Sequence, residues 1–242
     1  MKGSLLENNL PACDPNAVWE DGGVSYTLCT KRYSHWKYKS ETELEFLSET
    51  KIATCDTWNP FIRRFESKKT AIIIMDPWIN TPSDFGNEYF GRVTDEKILP
   101  LVRAAQKSGH QIIVLSDDPS GPYNSKIPQE LQEMVDDGRA TLFVHGKTSL
   151  EDFKNYALQH GIEKFVYTGF CTNICILFRE LGLPNIVRLR IGEAYLIPDC
   201  AAAMEHGDTW DSQIVHQSAA LLISQAQALL IEYEDIMNAI TK

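Results

Sequence analysis

Tyr167-Thr168-Gly169-Phe170-Cys171-Thr172-Asn173-Ile174-Cys175 reads as an apolar strand that ends in a glycine turn and delivers a cysteine into the first turn of a helix. Backbone N–H groups at a helix start have no partner within the helix, so they favour an anion and lower the pKa of a thiol placed there. Cys175 is the leading candidate nucleophile on that ground. An inert core cysteine is the competing reading, since thiols are small, apolar and often buried.

Further apolar runs of strand length lie at 71–75, 111–115, 141–144, 164–168, 195–197 and 228–231, bounded by Gly, Pro, Asp or Ser. Their near-continuous hydrophobicity suits strands covered on both faces. Helical patterns fall between and after them, near 94–108, 128–137, 149–160, 173–182, 211–226 and 234–240. This alternation predicts an α/β fold: a three-layer, doubly wound, mainly parallel six-stranded sheet with helices on both faces. Residues 70–242 form that domain in this reading. Residues 1–69, with scattered aromatics and no clear period, are an irregular N-terminal extension.

Ligands of such sheets collect beyond the carboxyl ends of the strands. That edge receives Asp76, then Ser116-Asp117-Asp118, then His145-Gly146-Lys147, then Gly169 through Cys175. A carboxylate, a cation and a thiol therefore converge. Asp76 is the candidate base, Lys147 the candidate cation, and the N–H groups of Cys171 and Cys175 the candidate oxyanion donors. Asp117 and Asp118 fit turn chemistry better than ligand binding.

The chain has 242 residues, 33 acidic against 23 basic, for a net charge of −10. That balance disfavours nucleic acid and anionic lipid and favours a small-molecule substrate. The run from Lys31 to Lys39 (KRYSHWKYK) is a local exception, basic with interleaved aromatics, a composition that can meet phosphate groups. An arm packing its aromatics on the domain explains it more simply. Six cysteines without C-x-x-C or paired Cys/His spacing predict reduced thiols and no structural zinc. Cys171 and Cys175, four apart, do not have the usual redox spacing. No run is long and apolar enough to span a bilayer and Met1 to Asn9 lacks a signal-like centre, so the expectation is a cytoplasmic protein without a membrane partner.

The residues together resemble the isochorismatase-like cysteine hydrolases, the superfamily of nicotinamidases and N-carbamoyl amide hydrolases. The resemblance spans roughly 69–240. It rests on the strand ending in Asp76, on Trp78 and Asn80, on the Gly-x-x-Thr-x-x-Cys segment at 169–175, on Pro198-Asp199-Cys200-Ala201-Ala202 and on His216. It implies an Asp–Lys–Cys triad, with Asp76 as base and Cys175 as nucleophile, a cis peptide between Phe170 and Cys171, and a homo-oligomer. Trp78, with Phe170, is a candidate aromatic wall for substrate. The family's lysine leaves the third strand, where this chain has His145 in register and Lys147 two residues later.

The nicotinamidase branch also carries an Asp and histidines after the second strand as metal ligands. Here Ser116 to Tyr123 (SDDPSGPY) contains no histidine, so no metal and no cofactor are expected. The function expected is a metal-independent hydrolase cleaving an amide, carbamoyl or related C–N bond through a thioester. A catalytically retired binding protein and a vinyl-ether hydrolase that does not need the cysteine are the alternatives.

Overall fold

A computed structural model describes residues 16–20, 22–33, 36–38, 44–46, 58–79, 84–118, 120, 126–226 and 228–241. Strands β1 (Val18–Glu20), β2 (Gly23–Tyr33), β3 (Trp36–Tyr38), β4 (Leu44–Phe46) and β5 (Trp58–Glu66) precede β6 (Thr70–Met75). Helix α1 (Asp84–Val93), a π turn (Thr94–Ile98) and α2 (Leu99–Lys107) lead to β7 (Gln111–Ser116), α3 (Gln129–Asp136) and β8 (Thr141–Val144). Then come α4 (Leu150–Gln159), β9 (Lys164–Phe170), α5 (Cys175–Phe178), α6 (Leu183–Arg188) and β10 (Glu193–Ala202). Helix α7 (Ile214–Ala226), β11 (Leu229–Leu230) and α8 (Tyr233–Ile240) complete the order.

The six strands expected from the apolar runs are all present and lie side by side as β11-β10-β9-β6-β7-β8, every pair parallel. β6 shows why. All six of its residues are buried; Ile72 and Ile74 pack in one apolar layer, and Ala71, Ile73 and Met75 in the other. The first layer draws on α1, α2, α3 and α8 and the second on α4, α5, α6 and α7. Residues two apart on a strand share a face, so a continuous apolar run supplies both layers.

Two helical expectations change. The single helix expected over 173–182 is split: α5 stops at Phe178 because Arg179 turns extended (ψ 154°), and Pro184 opens a new helix behind the Gly182 cap. Helix α1 carries two glycines and an early Asp, a composition that weakens helical propensity and hides it from a reading by period.

Part of the 1–69 segment enlarges the sheet. β2 pairs antiparallel with β5 over nine residue pairs from Ser25 to Tyr33 and joins the parallel sheet through Lys31 opposite Leu230. Tyr26 stacks on Phe65 with centroids 5.4 Å apart, and Phe65 tilts onto Tyr195 at 4.9 Å. Lys31, 3% exposed, is ion-paired with Glu232 just before α8. β3 and β4 pair antiparallel, with Trp36 opposite Phe46 and Tyr38 opposite Leu44.

Tyr26 also reaches His110 at the entry to β7. Its hydroxyl is 2.8 Å from Nε2, while Nδ1 lies 2.8 Å from Ser108 Oγ and 3.2 Å from the Ala105 carbonyl. Ser108 donates to the same carbonyl, so a neutral ring with its proton on Nδ1 satisfies every partner. Burial pushes the imidazole pKa down to about 4 from 6.5. Between those values the unfolded chain binds more protons than the folded one, so stability is complete above pH 6.5 and falls as pH drops toward 4. Urea unfolding should show a loss of about 2 to 3 kcal/mol from this group between pH 7 and pH 4.5. His110→Gln, which cannot titrate, should flatten that part of the profile; an unchanged slope would assign the loss to other groups.

Candidate functional site

The site is built where β6, β7, β8 and β9 end together. Asp76 follows β6 with φ 43°, a left-handed conformation that Asp tolerates better than most residues. Its N–H donates to Leu115 O at 2.7 Å and its own carbonyl accepts from Trp78 N at 2.7 Å. The bend turns a carboxylate that is 0% exposed toward the neighbouring strand ends.

Two cationic or potentially cationic groups meet it. His145 Nε2 lies 3.0 Å from Asp76 Oδ1, with the His145 side chain only 7% exposed. Its N–H donates to Ser116 O at 2.9 Å, which fixes the residue against the end of β7. Arg179 Nε lies 3.4 Å from Asp76 Oδ2, near enough for an ion pair but without hydrogen-bond geometry, and its Nη2 donates to Asp117 Oδ2 at 2.9 Å. Burial opposes the guanidinium charge, yet the carboxylates of Asp76 and Asp117 and the Cys175 sulfur outweigh it and hold the Arg179 pKa above its usual value.

Lys147 sits elsewhere. The turn Val144-His145-Gly146-Lys147, closed by Lys147 N–H on Val144 O at 3.1 Å with Gly146 at φ 75°, sends the ammonium to Asp118 and leaves the side chain 64% exposed. That ammonium, with the Ser120 hydroxyl and N–H, holds the Asp118 carboxyl down at about 2. Of the two residues that compete for the family lysine's place, His145 is therefore the one in contact with Asp76. Asp117 and Asp118 divide their roles as well: one binds Arg179, the other caps a turn at Ser120 N with 2.9 Å.

Sequence reasoning passed over Arg179. A signal was present, because a helix expected over 173–182 places Arg179 one turn beyond Cys175 on the same face. The backbone bond from Arg179 N to Cys175 O (3.1 Å) is that turn.

The segment that carries Cys175 is held from several sides. Gly169 has φ 92°, and a Cβ there would lie 2.1 Å from Met75 O, so only glycine lets β9 pass β6 at this point. Thr168 Oγ1 donates to Ile73 O at 2.9 Å, and the Phe170–Cys171 peptide is cis, as the resemblance implies. Thr172 N–H donates to Ala202 O at 2.8 Å, while the Thr172 hydroxyl meets His216 Nδ1 at 3.1 Å. Asn173 does not cap its own helix; its side chain clamps the backbone of Met204, accepting from N at 3.0 Å and donating to O at 3.4 Å.

The N–H groups of Ile174 and Ile176 both donate to Cys171 O at 3.1 Å. Those of Cys171 and Cys175 take no part in the backbone pairing of this turn among the described residues. Cys175 is 5% and Cys171 1% exposed. The neighbouring Cys175 thiol, then burial, pushes the Cys171 thiol up.

Of the two aromatics, Trp78 is half-buried against the second apolar layer, and its buried indole N–H has no partner. Phe170 is 0% exposed and stacks on Phe90 with centroids 4.4 Å apart, so its ring belongs to the core and cannot form a wall toward substrate. Position parity on β9 explains this, since Phe170 and Val166 share the face toward the first layer. Asn80 lies outside the described residues. Among the described residues no group of three or more His, Cys, Asp or Glu is placed to hold a metal ion, and no helix is long and apolar enough to cross a membrane.

The sequence matches no protein-family model and no curated protein sequence. Solved structures do share its architecture. The YcaC gene product of Escherichia coli, an octameric hydrolase of unknown specificity, superposes with a TM-score of 0.53 at 15% identity, over 72% of this chain and 80% of that one. A cysteine hydrolase from Pseudomonas syringae pv. phaseolicola gives 0.51 at 15% identity, over 73% and 94%. A nicotinamidase from Staphylococcus aureus gives 0.50 at 14% identity, over 66% and 95%. At such identities the likeness is one of architecture: this protein has the fold of the isochorismatase-like cysteine hydrolases.

Proposed function

We propose that the protein is a cysteine hydrolase that cleaves an amide, carbamoyl or related C–N bond of a small molecule, without a metal. The observation that carries this reading is the buried Asp76 carboxylate held between His145 and Arg179 at the strand edge that also presents Cys175. A buried carboxylate paired from both sides is costly to assemble and gains little stability over apolar packing, so chemistry is the better reason for it.

In this mechanism Asp76 takes the thiol proton and Cys175 attacks the carbonyl carbon. The N–H groups of Cys171 and Cys175 receive the oxyanion, as groups outside the turn's own pairing can. Collapse expels the amine, which recovers the proton from Asp76, and leaves a thioester on Cys175. Asp76 then activates water to release the acid. Arg179 stabilises the thiolate and fixes Asp76. His145 supplies the second contact to Asp76 that a lysine makes in the family. The unpartnered Trp78 N–H is a donor for a substrate acceptor. An assembly of several copies, as in the octameric YcaC protein, fits this reading, as does a soluble intracellular setting for reduced thiols.

Brief alkylation with iodoacetamide at neutral pH, followed by peptide mapping, tests it. Cys175 should be labelled at least tenfold faster than Cys13. Labelling should slow in Asp76→Asn and Arg179→Gln and stay unchanged in Lys147→Ala. Equal labelling of both cysteines, unaffected by these substitutions, would move the weight to a retired binding protein, for which the pairing of Lys147 with Asp118 rather than Asp76 is the favouring observation. Hydrolysis that survives Cys175→Ala would point instead to vinyl-ether chemistry.

A further inference from the structure

Helix α7 sends one polar side chain to the turn that holds the oxyanion donors. Ala219, Ala220 and Ile223 are buried, and His216, three, four and seven positions before them, lies on the same face of the helix. A polar ring on such a face needs a partner, because a buried unsatisfied group costs about 1 to 3 kcal/mol. The partner is Thr172, 0% exposed, whose hydroxyl lies 3.1 Å from His216 Nδ1. Among the described residues that hydroxyl has no other hydrogen-bond partner.

The height of the ring is set by Glu205, itself 6% exposed. Its Oε1 accepts from His216 N–H at 2.8 Å and its Oε2 from Val215 N–H at 3.3 Å, so a carboxylate closes the start of α7, where the helix dipole favours it. Glu205 directly follows Met204, whose backbone the Asn173 side chain clamps. One short segment therefore fixes both α7 and the turn after β9.

Thr172 is tied on two sides, by its N–H to the end of β10 at Ala202 O and by its hydroxyl to α7. Cys171, just before it, has its carbonyl taken by Ile174 and Ile176, and Phe170 is held in register opposite Ala202. These bonds together set the direction of the Cys171 N–H. Burial lowers the His216 pKa against the pull of Glu205, Asp199 and the Pro198 carbonyl, so at neutral pH the ring is uncharged and one nitrogen can accept. Packing alone does not call for this pair, since valine has the shape of threonine and two apolar partners would fill the space as well.

We propose that His216 is a positioning residue of the hydrolase site: through the Thr172 hydroxyl it fixes the turn that aims the Cys171 N–H at the reacting oxygen. The proposal rests on the reading of Cys175 as the nucleophile and of the Cys171 N–H as an oxyanion donor.

Two reagents, p-nitrophenyl acetate and iodoacetamide, used on the full chain with peptide mapping, separate this role from a structural one. Both bond to the Cys175 sulfur, but only the ester forms a tetrahedral oxyanion before p-nitrophenolate leaves; alkylation expels iodide without one. His216→Phe and Thr172→Val should each slow acetylation of Cys175 by about tenfold or more and leave its alkylation within about twofold. The double variant should be no slower than the slower single one, because the two side chains act as a unit. His216→Asn, whose amide oxygen takes the place of Nδ1, should bring acetylation back to within about threefold of the unaltered protein. Far-ultraviolet circular dichroism establishes that each variant is folded. Acetylation and alkylation slowed in parallel, or single losses that multiply in the double variant, would assign His216 to packing and overturn the proposal, as would unaltered acetylation in His216→Phe. If Cys175 of the unaltered protein takes neither reagent faster than Cys13 does, the cysteine-hydrolase reading itself fails and the role of His216 fails with it.

Discussion

Gly169→Ala is expected to destabilise the protein by about 3 kcal/mol or more, and in most expression conditions to leave little folded chain. The added methyl would sit 2.1 Å from Met75 O and 2.7 Å from Met75 N, well inside van der Waals contact. Those atoms belong to β6 at the centre of the sheet, paired with β9 at Met75↔Gly169 and with β7 at Met75↔Leu115, so they cannot retreat without breaking two ladders. The residue also sits at φ 92°, where alanine is strained even in open space. Gly146→Ala is the comparison: it also has positive φ, but nothing lies within 4 Å of the added carbon, so only the backbone cost of about 1 kcal/mol remains. Thermal or urea unfolding of the two variants side by side should separate them clearly. Equal losses would mean that the crossing of β6 and β9 is looser than its distances say.

Cys175→Ser should lower kcat/KM by at least about 10³-fold on any amide or N-carbamoyl compound found to be turned over, because an alcohol beside the same base is far less ionised than a thiol. Asp76→Asn should cost a similar factor while keeping the left-handed backbone, which Asn also accepts. Removing that carboxylate leaves the buried side of Arg179 and His145 facing a neutral amide, so a stability loss of about 3 kcal/mol should accompany the loss of activity. The informative contrast is His145→Ala against Lys147→Ala. With His145 on Asp76 and Lys147 on Asp118, the first should impair turnover by about 10²-fold, and the second should leave it within about twofold. A reversed order would return the cationic role to Lys147. Scoring ester and amide substrates together, with circular dichroism of each variant, distinguishes lost chemistry from lost fold.

The positions of Asp76 and Cys175 were legible because each follows a strong local signal, an apolar strand for one and a glycine turn entering a helix for the other. Arg179 was not, since its meaning depends on α5 stopping after one turn and swinging the guanidinium between Asp76 and Asp117, residues 103 and 62 positions away. Register alone ranked Lys147 with His145; a tight turn at Gly146 separated them by sending one inward and the other to solvent. Phe170 was misplaced for a similar reason: proximity in sequence to Cys175 says nothing about which face of β9 a ring occupies at the point where the strand ends.

Periodic burial is a local property, written in runs of neighbouring residues, and so the chain by itself determined six parallel strands, their covering helices and the edge that carries Asp76 and Cys175. Which cation meets the carboxylate, which aromatic reaches the surface and how β2 and β5 join the sheet depend on side chains brought together from distant segments. Those pairings have no sequence period, because they are set by turns, strand crossings and the need of every buried charge for a partner, and only the tertiary structure decided them.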